Sequence, residues 1–401
     1  MESHNPHSRF GAFNVKWAVS EASKIFCVET DKGHPELPVL SASQEYGMVK
    51  RDNIGINMQY SKQNIASYKR VLPGRFVIHL RSFQGGFAHS AIEGITSPAY
   101  TVLTLREPDK HDDYFWKYLF TSPEFIKRLE LVTYGIRDGR SISVEDFFEL
   151  PFCFPSTPEE QHQIAQLFSR LDALIVAEDK KLEKLKSFKN ASLEKMFPNN
   201  GESVPKTRFK GFTTEWATKE LSEVAGYYRV SNETVHHQNL LSLSYGKIVR
   251  KNIKSKKGLL PASFDTYQVI KENIVVLRFT DLQNDHKSLR VGLSKEEGII
   301  SPAYVCLECK GNINPDYLYL LLHYYDLRKV FYGMGDGLRQ TLSYSDIKEL
   351  PLLIPEDEKE QKIIVEYFSR LDVLISSQEK KIHNLRSLKK AFLEKMFVPA
   401  Q

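Results

Sequence analysis

Side chains that can read or hold nucleic acid gather at predicted turns in both halves of the sequence. In the major groove arginine pairs with guanine and asparagine or glutamine with adenine, while lysine mostly neutralises phosphate. One charged loop is often only solvated, but equivalent turns carry such residues in both halves, which favours a nucleic-acid interface. The candidates are Lys50, Arg51, Arg81, Gln84, Arg137, Arg140, Lys247, Arg250, Lys251, Gln283, Asn284, Lys287, Arg290, Arg339 and Gln340.

Motifs for catalysis or metal binding are weak in this chain. Cys306 and Cys309 form a single CxxC pair without a second pair of ligands, so we expect buried strand cysteines. The stretch from Asn314 to Tyr317 reads Asn-Pro-Asp-Tyr and lacks the second proline of the amino-methyltransferase loop that it distantly resembles. No Walker A sequence is present. The sequence therefore predicts no catalytic, cofactor-binding or metal-binding residue.

The candidate turns connect segments that predict a mixed fold. Strand-like stretches rich in Val, Ile, Phe and Tyr alternate with aromatic-rich helical stretches, which is typical of an α+β protein. The strand-like stretches are "GRFVIHLRSF", "AYTVLTL", "ENIVVLRFTDL" and "AYVCLEC", and the helical ones are "DYFWKYLFTSPEFIKRL" and "PDYLYLLLHYYDLRKVF".

Bulk composition is that of a globular protein with more than one domain. The 401 residues exceed what one ordinary core accommodates, and 41% are hydrophobic and 26% charged. No apolar run approaches the ~18 residues that span a membrane, and the first residues do not resemble a secretory signal. Four cysteines make no disulfide framework, so we expect a reducing cytoplasm. A net charge of +5 permits nucleic-acid binding without requiring it.

Short segments recur after about 200 residues along the whole chain. Two copies of one unit, each a variable region followed by a long helix, explain this pattern. The helical parts are more alike than the variable parts, which suggests that the two variable regions perform different versions of one task. The matched pairs are "RFGAFNVKW" with "RFKGFTTEW", "YGMVKRDNI" with "YGKIVRKNI", "EGITSPAY" with "EGIISPAY", and "ELPFCFP" with "ELPLLIP".

Two long amphipathic helices follow the variable regions. Thr157, Pro158 and Glu160 predict an N-cap, a first helical proline and a capping box, and Asp357 and Glu360 occupy the same places in the second copy. The apolar residues then recur at steps of three, four and seven, which is coiled-coil spacing. They are Ile164, Phe168, Leu171, Ile175, Leu182 and Leu185, then Ile364, Phe368, Leu371, Ile375, Ile382 and Leu385.

The order of the segments predicts how the two helices pair. The first helix leads away from domain 1 and delivers the chain to domain 2, so the second must run back to cover the same seam. We therefore expect an antiparallel helix pair between two α/β domains related by a pseudo-twofold axis, although two unrelated core helices remain an alternative. The expected segments are globular regions 1–148 and 200–348 and helical spacers 149–199 and 349–401.

The chain resembles the DNA-specificity subunits of type I restriction–modification systems. The resemblance covers essentially the whole sequence and is most specific in "LPFCFPSTPEEQHQIAQLFSRLDALI" and "LPLLIPEDEKEQKIIVEYFSRLDVLI", which are similar to the proximal and distal conserved regions of that family. "VPKTRFKGFTTEW" is similar to the usual beginning of a target-recognition domain, and "GLRQTLSYSDIKELPLLIP" to its usual end.

This resemblance implies a division of labour among several subunits. Each globular region would be a target-recognition domain reading one half of a bipartite sequence in double-stranded DNA, and the helices would set the spacer. The helices would also dock two modification subunits that methylate adenine with S-adenosylmethionine, and ATP- and Mg-dependent restriction subunits would join them. This chain would then be a non-catalytic subunit without a cofactor of its own.

Two other classes of function remain compatible with the sequence. A two-headed scaffold could bind proteins rather than DNA, and steeply salt-dependent binding of duplex DNA separates that case from a DNA reader. A stand-alone modification enzyme would require a cofactor loop, which the sequence lacks.

Overall fold

The computed structural model describes residues 6, 8–43, 46–54, 62–78, 86–129, 133–134, 141–199, 201–233, 237–252, 263–280, 289–334 and 341–397. The chain divides into two compact units. The first comprises Met1–Lys180 and Glu379–Gln401, and the second comprises Lys181–Gln378. Both boundaries between the units fall within long helices, and the four expected linear segments stay a prediction.

The first unit begins with a series of short strands and ends in a long helix. Its strands are β1 (Ala18–Glu21), β2 (Phe26–Glu29), β3 (Leu40–Ser43), β4 (Gly47–Lys50), β5 (Lys69–Val71), β6 (Phe76–Ile78), β7 (Phe87–His89), β8 (Gly94–Thr96), β9 (Thr101–Leu105), β10 (Thr133–Tyr134), β11 (Ser141–Ile142) and β12 (Pro151–Phe154). Its helices are α1 (Ala22–Ile25), α2 (Asp113–Leu119), α3 (Pro123–Leu129), α4 (Val144–Glu149) and the first part of α5 (Pro158–Met196). Short 3-10 helices lie at Arg51–Ile54, Lys62–Ser67 and Pro108–Lys110.

An antiparallel sheet in the order β2-β9-β6-β7 forms the centre of the first unit. Side chains along a strand alternate between the two faces, and here both faces are covered. Phe76 and Ile78 of β6 join an aromatic core with Trp116, while Val77 packs with Leu40 and Met48 of the β3–β4 hairpin. Burial on both faces explains why β6 is apolar at every position.

The second unit repeats this organisation. Its strands are β13 (Ala217–Glu220), β14 (Ala225–Tyr227), β15 (Leu241–Ser244), β16 (Lys247–Arg250), β17 (Gln268–Ile270), β18 (Val275–Leu277), β19 (Val291–Leu293), β20 (Gly298–Ile300), β21 (Val305–Cys309) and β22 (Pro351–Ile354). Its helices are α6 (Leu221–Val224), α7 (Pro315–Leu327), α8 (Tyr344–Ile347) and the first part of α9 (Glu358–Met396), with a 3-10 helix at Val330–Gly333.

The central sheet of the second unit has the order β14-β21-β18-β19, which matches the first unit strand for strand. Val275 and Leu277 of β18 face one core, and Val276 faces another core that includes Leu241 and Leu243 of the β15–β16 hairpin. In each unit, apolar side chains therefore hold one β-hairpin against the sheet face opposite the core that contains the helices. We call β3–β4 and β15–β16 the outer hairpins.

Segments of α5 and α9 pack on each other inside each unit. In the first unit the Lys381 ammonium donates to Glu178 at 2.5 Å, and Lys389, farther along α9, reaches Asp172 earlier on α5. Contacts that advance along one helix and retreat along the other define antiparallel segments. In the second unit Lys189 donates to Asp372 at 2.6 Å.

The predicted seam residues lie on the inner sides of these helix segments. Leu182, Leu185 and Leu385 are partly buried, and the remaining seam residues are buried. Phe168 shows how the seam joins a core, because its ring stacks 5.0 Å from Tyr118 and 5.7 Å from Phe397.

The predicted capping box of α5 does not form. The hydroxyl of Thr157 is buried without a hydrogen-bond partner among the described residues, and the Glu160 carboxylate accepts from Arg9 and Trp17 instead of turning back to the helix start. In α9 the Asp357 carboxylate accepts from the backbone amide of Lys359, but the side chain of Glu360 is again engaged elsewhere. Long-range partners have displaced the local cap.

The CxxC cysteines lie in a strand, as the sequence predicts. Cys306 is buried in β21 and Cys309 at its end is partly buried, and burial raises the pKa of each thiol to about 12. Within the described ranges no cluster of three or more His, Cys, Asp or Glu side chains could hold a metal ion. The helices of the described part of the chain include none with the length and apolarity that a membrane crossing requires.

Candidate nucleic-acid interface

The β3–β4 and β15–β16 hairpins carry the described candidates of the interface. Lys50 ends β4 and is exposed, and Arg51 follows it, half-buried, with its Nε donating to the Ser41 hydroxyl at 3.2 Å. In the second unit Lys247 begins β16 and Lys251 directly follows the end of that strand, and both side chains are exposed. The hairpins thus place Arg51 and Lys251 at equivalent positions, each directly after the second strand of its hairpin.

The sequence predicts Arg250 on a turn, but the residue lies at the end of β16. Its exposed guanidinium pairs with Glu296, which also accepts a hydrogen bond from the Asn239 amide at 3.1 Å. The hydrogen bond to Glu296 raises the pKa of Arg250, and the same bond lowers the pKa of Glu296. This partner fixes the direction of a side chain that still faces solvent.

Arg290 occupies a different environment from the one predicted. It is fully buried, and its guanidinium donates to the carbonyl oxygens of Arg278 at 3.1 Å and Thr280 at 2.8 Å, and to the Tyr332 hydroxyl at 3.0 Å. Its backbone amide donates to Asp326, and burial raises the pKa of that carboxyl group. A side chain held in this way supports the fold and cannot reach DNA, so its prediction as a DNA contact is wrong.

The remaining candidates lie outside the described residues. They are Arg81, Gln84, Arg137, Arg140, Gln283, Asn284, Lys287, Arg339 and Gln340. Their assignment to the interface stays a prediction.

A buried arginine–glutamate pair, which sequence reasoning missed, joins each globular region to its long helix. Arg208 donates to both carboxylate oxygens of Glu360, at 2.7 and 2.8 Å, and the Trp216 indole donates to the same carboxylate at 3.3 Å. Arg9 and Glu160 form the same arrangement with Trp17 in the first unit. The signal was present in the repeated "RF…W" segments and in the glutamate shared by both helix starts.

The glutamine after each of these glutamates makes a second link. Gln161 accepts from the backbone amide of Asp112, the N-cap of α2, at 3.0 Å and donates to the Pro155 carbonyl at 2.9 Å. Gln361 does the same with Asn314, the N-cap of α7. Two adjacent polar residues therefore fix the first turn of each long helix to the globular region that precedes it.

The comparisons with known proteins agree with this architecture. Residues 213–386 match the family model of the type I restriction modification DNA specificity domain. No curated protein sequence matches the chain.

Solved structures extend the likeness to nearly the whole chain. The type I restriction-modification S subunit from M. genitalium is 15% identical with a TM-score of 0.58, and the match covers 99% of this chain and 100% of that one. A chain from a study of complex assembly and conformational transition of the type I R-M system is 15% identical with a TM-score of 0.56, and the match covers 94% and 96%. At this identity the likeness concerns the fold.

Proposed function

We propose that this chain, whose residues 213–386 match the family model of the type I restriction modification DNA specificity domain, selects the DNA target of a type I restriction–modification complex. That match supports the resemblance predicted from the sequence over residues 213–386. The observation that carries the proposal is the repetition of the specificity-domain organisation. Both units have the same order of sheet strands and the same outer hairpin with exposed cations.

Each unit would read one half of a bipartite target. A bidentate contact between a side chain and a base contributes about 1–3 kcal/mol of discrimination, which for a few base pairs is too little against a genome of competing sites. Joining two readers makes the second contact intramolecular and multiplies the selectivity. Because the readers differ in their loop residues, the two half-sites would differ in sequence.

The two long helices would determine the distance between the half-sites. Each has 39 residues, which corresponds to about 60 Å at 1.5 Å per residue. Because α5 and α9 run antiparallel inside the first unit, we infer that they form one continuous helix pair, which would relate the recognition domains by a pseudo-twofold axis. Such a pair is stiff and would fix the spacer between the half-sites.

The outer surfaces of the helices offer equivalent docking positions for two modification subunits. Leu174 is 41% exposed and its repeat equivalent Leu374 is 54% exposed, while Phe188 and Leu388 are 53% and 44% exposed. Large apolar side chains exposed at matching positions in two copies suit two copies of one partner. Adenine methylation with S-adenosylmethionine, and ATP- and Mg-dependent cleavage, would then belong to partner subunits, and this chain would act without catalysing a reaction.

Exchange of one recognition domain tests the two-reader proposal. Residues 1–148 are replaced by the equivalent region of another specificity subunit, and the variant is expressed with its modification subunits. Sequencing of methylated adenines should show that one half-site changes while the other half-site and the spacer stay the same. A change in both halves would contradict independent readers, and a chain that binds proteins but shows no salt-dependent binding of duplex DNA would be a scaffold.

A further inference from the structure

A tyrosine projects from the tip of the outer hairpin in each unit. Tyr245 is 76% exposed and Tyr46 is 66% exposed, which places them among the most exposed large side chains in the described part of the protein. Both precede a glycine in the repeated "YG" segments, although the connections differ in length. Ser244 pairs with Lys247 across a two-residue turn, whereas Ser43 pairs with Gly47 across three residues.

The conformation of Tyr245 is unfavourable for an aromatic residue. Tyr245 has φ of 47° and Gly246 has φ of 75°, so the turn has positive φ at both central positions, as in a type I′ turn. Asparagine, aspartate and glycine favour the first of these positions, and a bulky residue is an outlier there. Asparagine at position 245 would therefore stabilise this turn more than tyrosine does, so the turn conformation does not explain the tyrosine.

Gly47 and Gly246, which follow the two tyrosines, allow the backbone of each hairpin tip to approach a neighbouring segment of its unit closely. A Cβ atom at Gly47 would collide with the His89 carbonyl oxygen at the end of β7, and one at Gly246 would lie 3.2 Å from the Leu289 Cβ. The backbone is therefore held against its neighbour while the tyrosine side chain points outward. A fixed backbone reduces the entropy that the side chain loses when it binds a partner.

Each hairpin that carries an exposed tyrosine also carries an exposed lysine. Lys247 follows Tyr245 by two residues and is exposed, and Lys50 lies at the end of β4 in the first unit. An exposed aromatic ring and a lysine on one hairpin match the chemistry of duplex DNA, in which lysine neutralises phosphate and an apolar group contacts base edges in a groove.

We propose that Tyr46 and Tyr245 are base-contacting residues, each presented by its hairpin to a DNA groove so that the ring contacts base edges of one half-site. This inference rests on the proposed DNA-reading function and adds two residues to the interface. In this arrangement Tyr245 costs the hairpin conformational stability and contributes affinity for DNA.

Substitution of Tyr245 tests this trade-off in the full chain. The wild-type chain first selects its target from a random-sequence duplex DNA pool, and the variants then bind the selected duplex. Tyr245→Asn should bind about tenfold more weakly or worse, because the contact between the ring and the base edges is lost, while its melting temperature stays the same or rises. Tyr245→Phe should bind like wild type, since the ring is retained. Tyr46→Asn should likewise weaken binding.

A stacked tyrosine in the same unit provides the control. Tyr227 is 44% exposed and stacks 5.6 Å from Tyr344, so Tyr227→Asn should lower the melting temperature without a selective loss of affinity. Equal binding by wild type and Tyr245→Asn would overturn the inference, and so would weaker binding accompanied by a clear loss of stability. Failure of the wild type to bind the duplex pool in a salt-dependent manner would instead reject the proposed function.

Discussion

The guanidinium of Arg9 donates two hydrogen bonds, of 2.6 and 2.7 Å, to the carboxylate of Glu160, which lies 151 positions later in the sequence. The glutamate side chain is 1% exposed and the arginine side chain 14% exposed. Arg208 and Glu360 repeat the arrangement in the second unit. A buried pair of this kind fixes geometry more than it adds stability, but the loss of one partner leaves an uncompensated charge.

Removal of the arginine should therefore destabilise the junction between globular region and helix. Arg9→Met leaves the buried Glu160 carboxylate without its cation and should lower the free energy of unfolding of the first unit by about 3 kcal/mol. Urea unfolding followed by circular dichroism measures this loss. Lys24→Met is the control, because Lys24 and Glu21 form an exposed pair at 3.7 Å. Equal stability of Arg9→Met and Lys24→Met would show that the buried pair is not structural.

Arg290 should behave as a core residue. Arg290→Met removes donors from the carbonyl groups of Arg278 and Thr280, and buried acceptors without donors are destabilising. We expect the free energy of unfolding, measured by urea denaturation, to fall by about 3 kcal/mol. DNA binding should decrease in parallel, to the extent that the variant unfolds. Full stability combined with weakened DNA binding would mean that Arg290 contacts DNA after all.

Arg250 should show the opposite pattern. Its guanidinium is exposed and, within the described ranges of the chain, forms an ion pair only with the surface carboxylate of Glu296, so Arg250→Ala should leave the melting temperature nearly unchanged. Binding of duplex DNA should weaken, and a phosphate contact would also reduce the salt dependence by about one counterion. Lys295→Ala, which breaks an exposed pair with Asp316 in the same unit, serves as the control. Wild-type affinity of Arg250→Ala would remove this hairpin end from the interface.

Acid should weaken the second unit through His323. This side chain is 6% exposed, and its Nδ1 has no hydrogen-bond partner in the part of the chain that the structure describes. Burial together with the charge of Lys189 lowers the pKa of His323 to about 4, and Asp372 partly offsets this shift. Because the folded-state pKa lies below the ordinary value of 6.5, this contribution to stability is complete above pH 6.5 and declines as the pH falls towards 4.

The variant His323→Phe should remove this part of the acid sensitivity. Wild type should lose about 2 kcal/mol more than the variant between pH 7 and pH 5 in urea unfolding. His383→Phe on an exposed position of α9 is the matched control and should keep the wild-type pH profile. An unchanged profile in His323→Phe would mean that the imidazole is not excluded from protonation in the folded state.

Local patterns in the sequence predicted the helices and strands better than the polar contacts. Pro158 begins α5 as expected, and the seam residues repeat at a spacing that a helix alone determines. Glu160 was assigned to a local cap because its true partner, Arg9, is distant in sequence, and no local pattern encodes that distance. Arg290 directly precedes β19, where a turn residue and a buried residue look alike until the packing of Asp326 and Tyr332 is known.

The length of the spacer between the two half-sites tests most directly whether the helix pair sets their distance. Four residues inserted into α5 after Lys184, together with four inserted into α9 after Ser377, should lengthen the helix pair by about 6 Å. A four-residue insertion disturbs a heptad seam only locally, so folding should survive. At about 3.4 Å per base pair, methylation mapping should reveal a spacer longer by one or two base pairs with both half-sites unchanged. An unchanged spacer in a folded, active variant would contradict the claim that the helices set the distance.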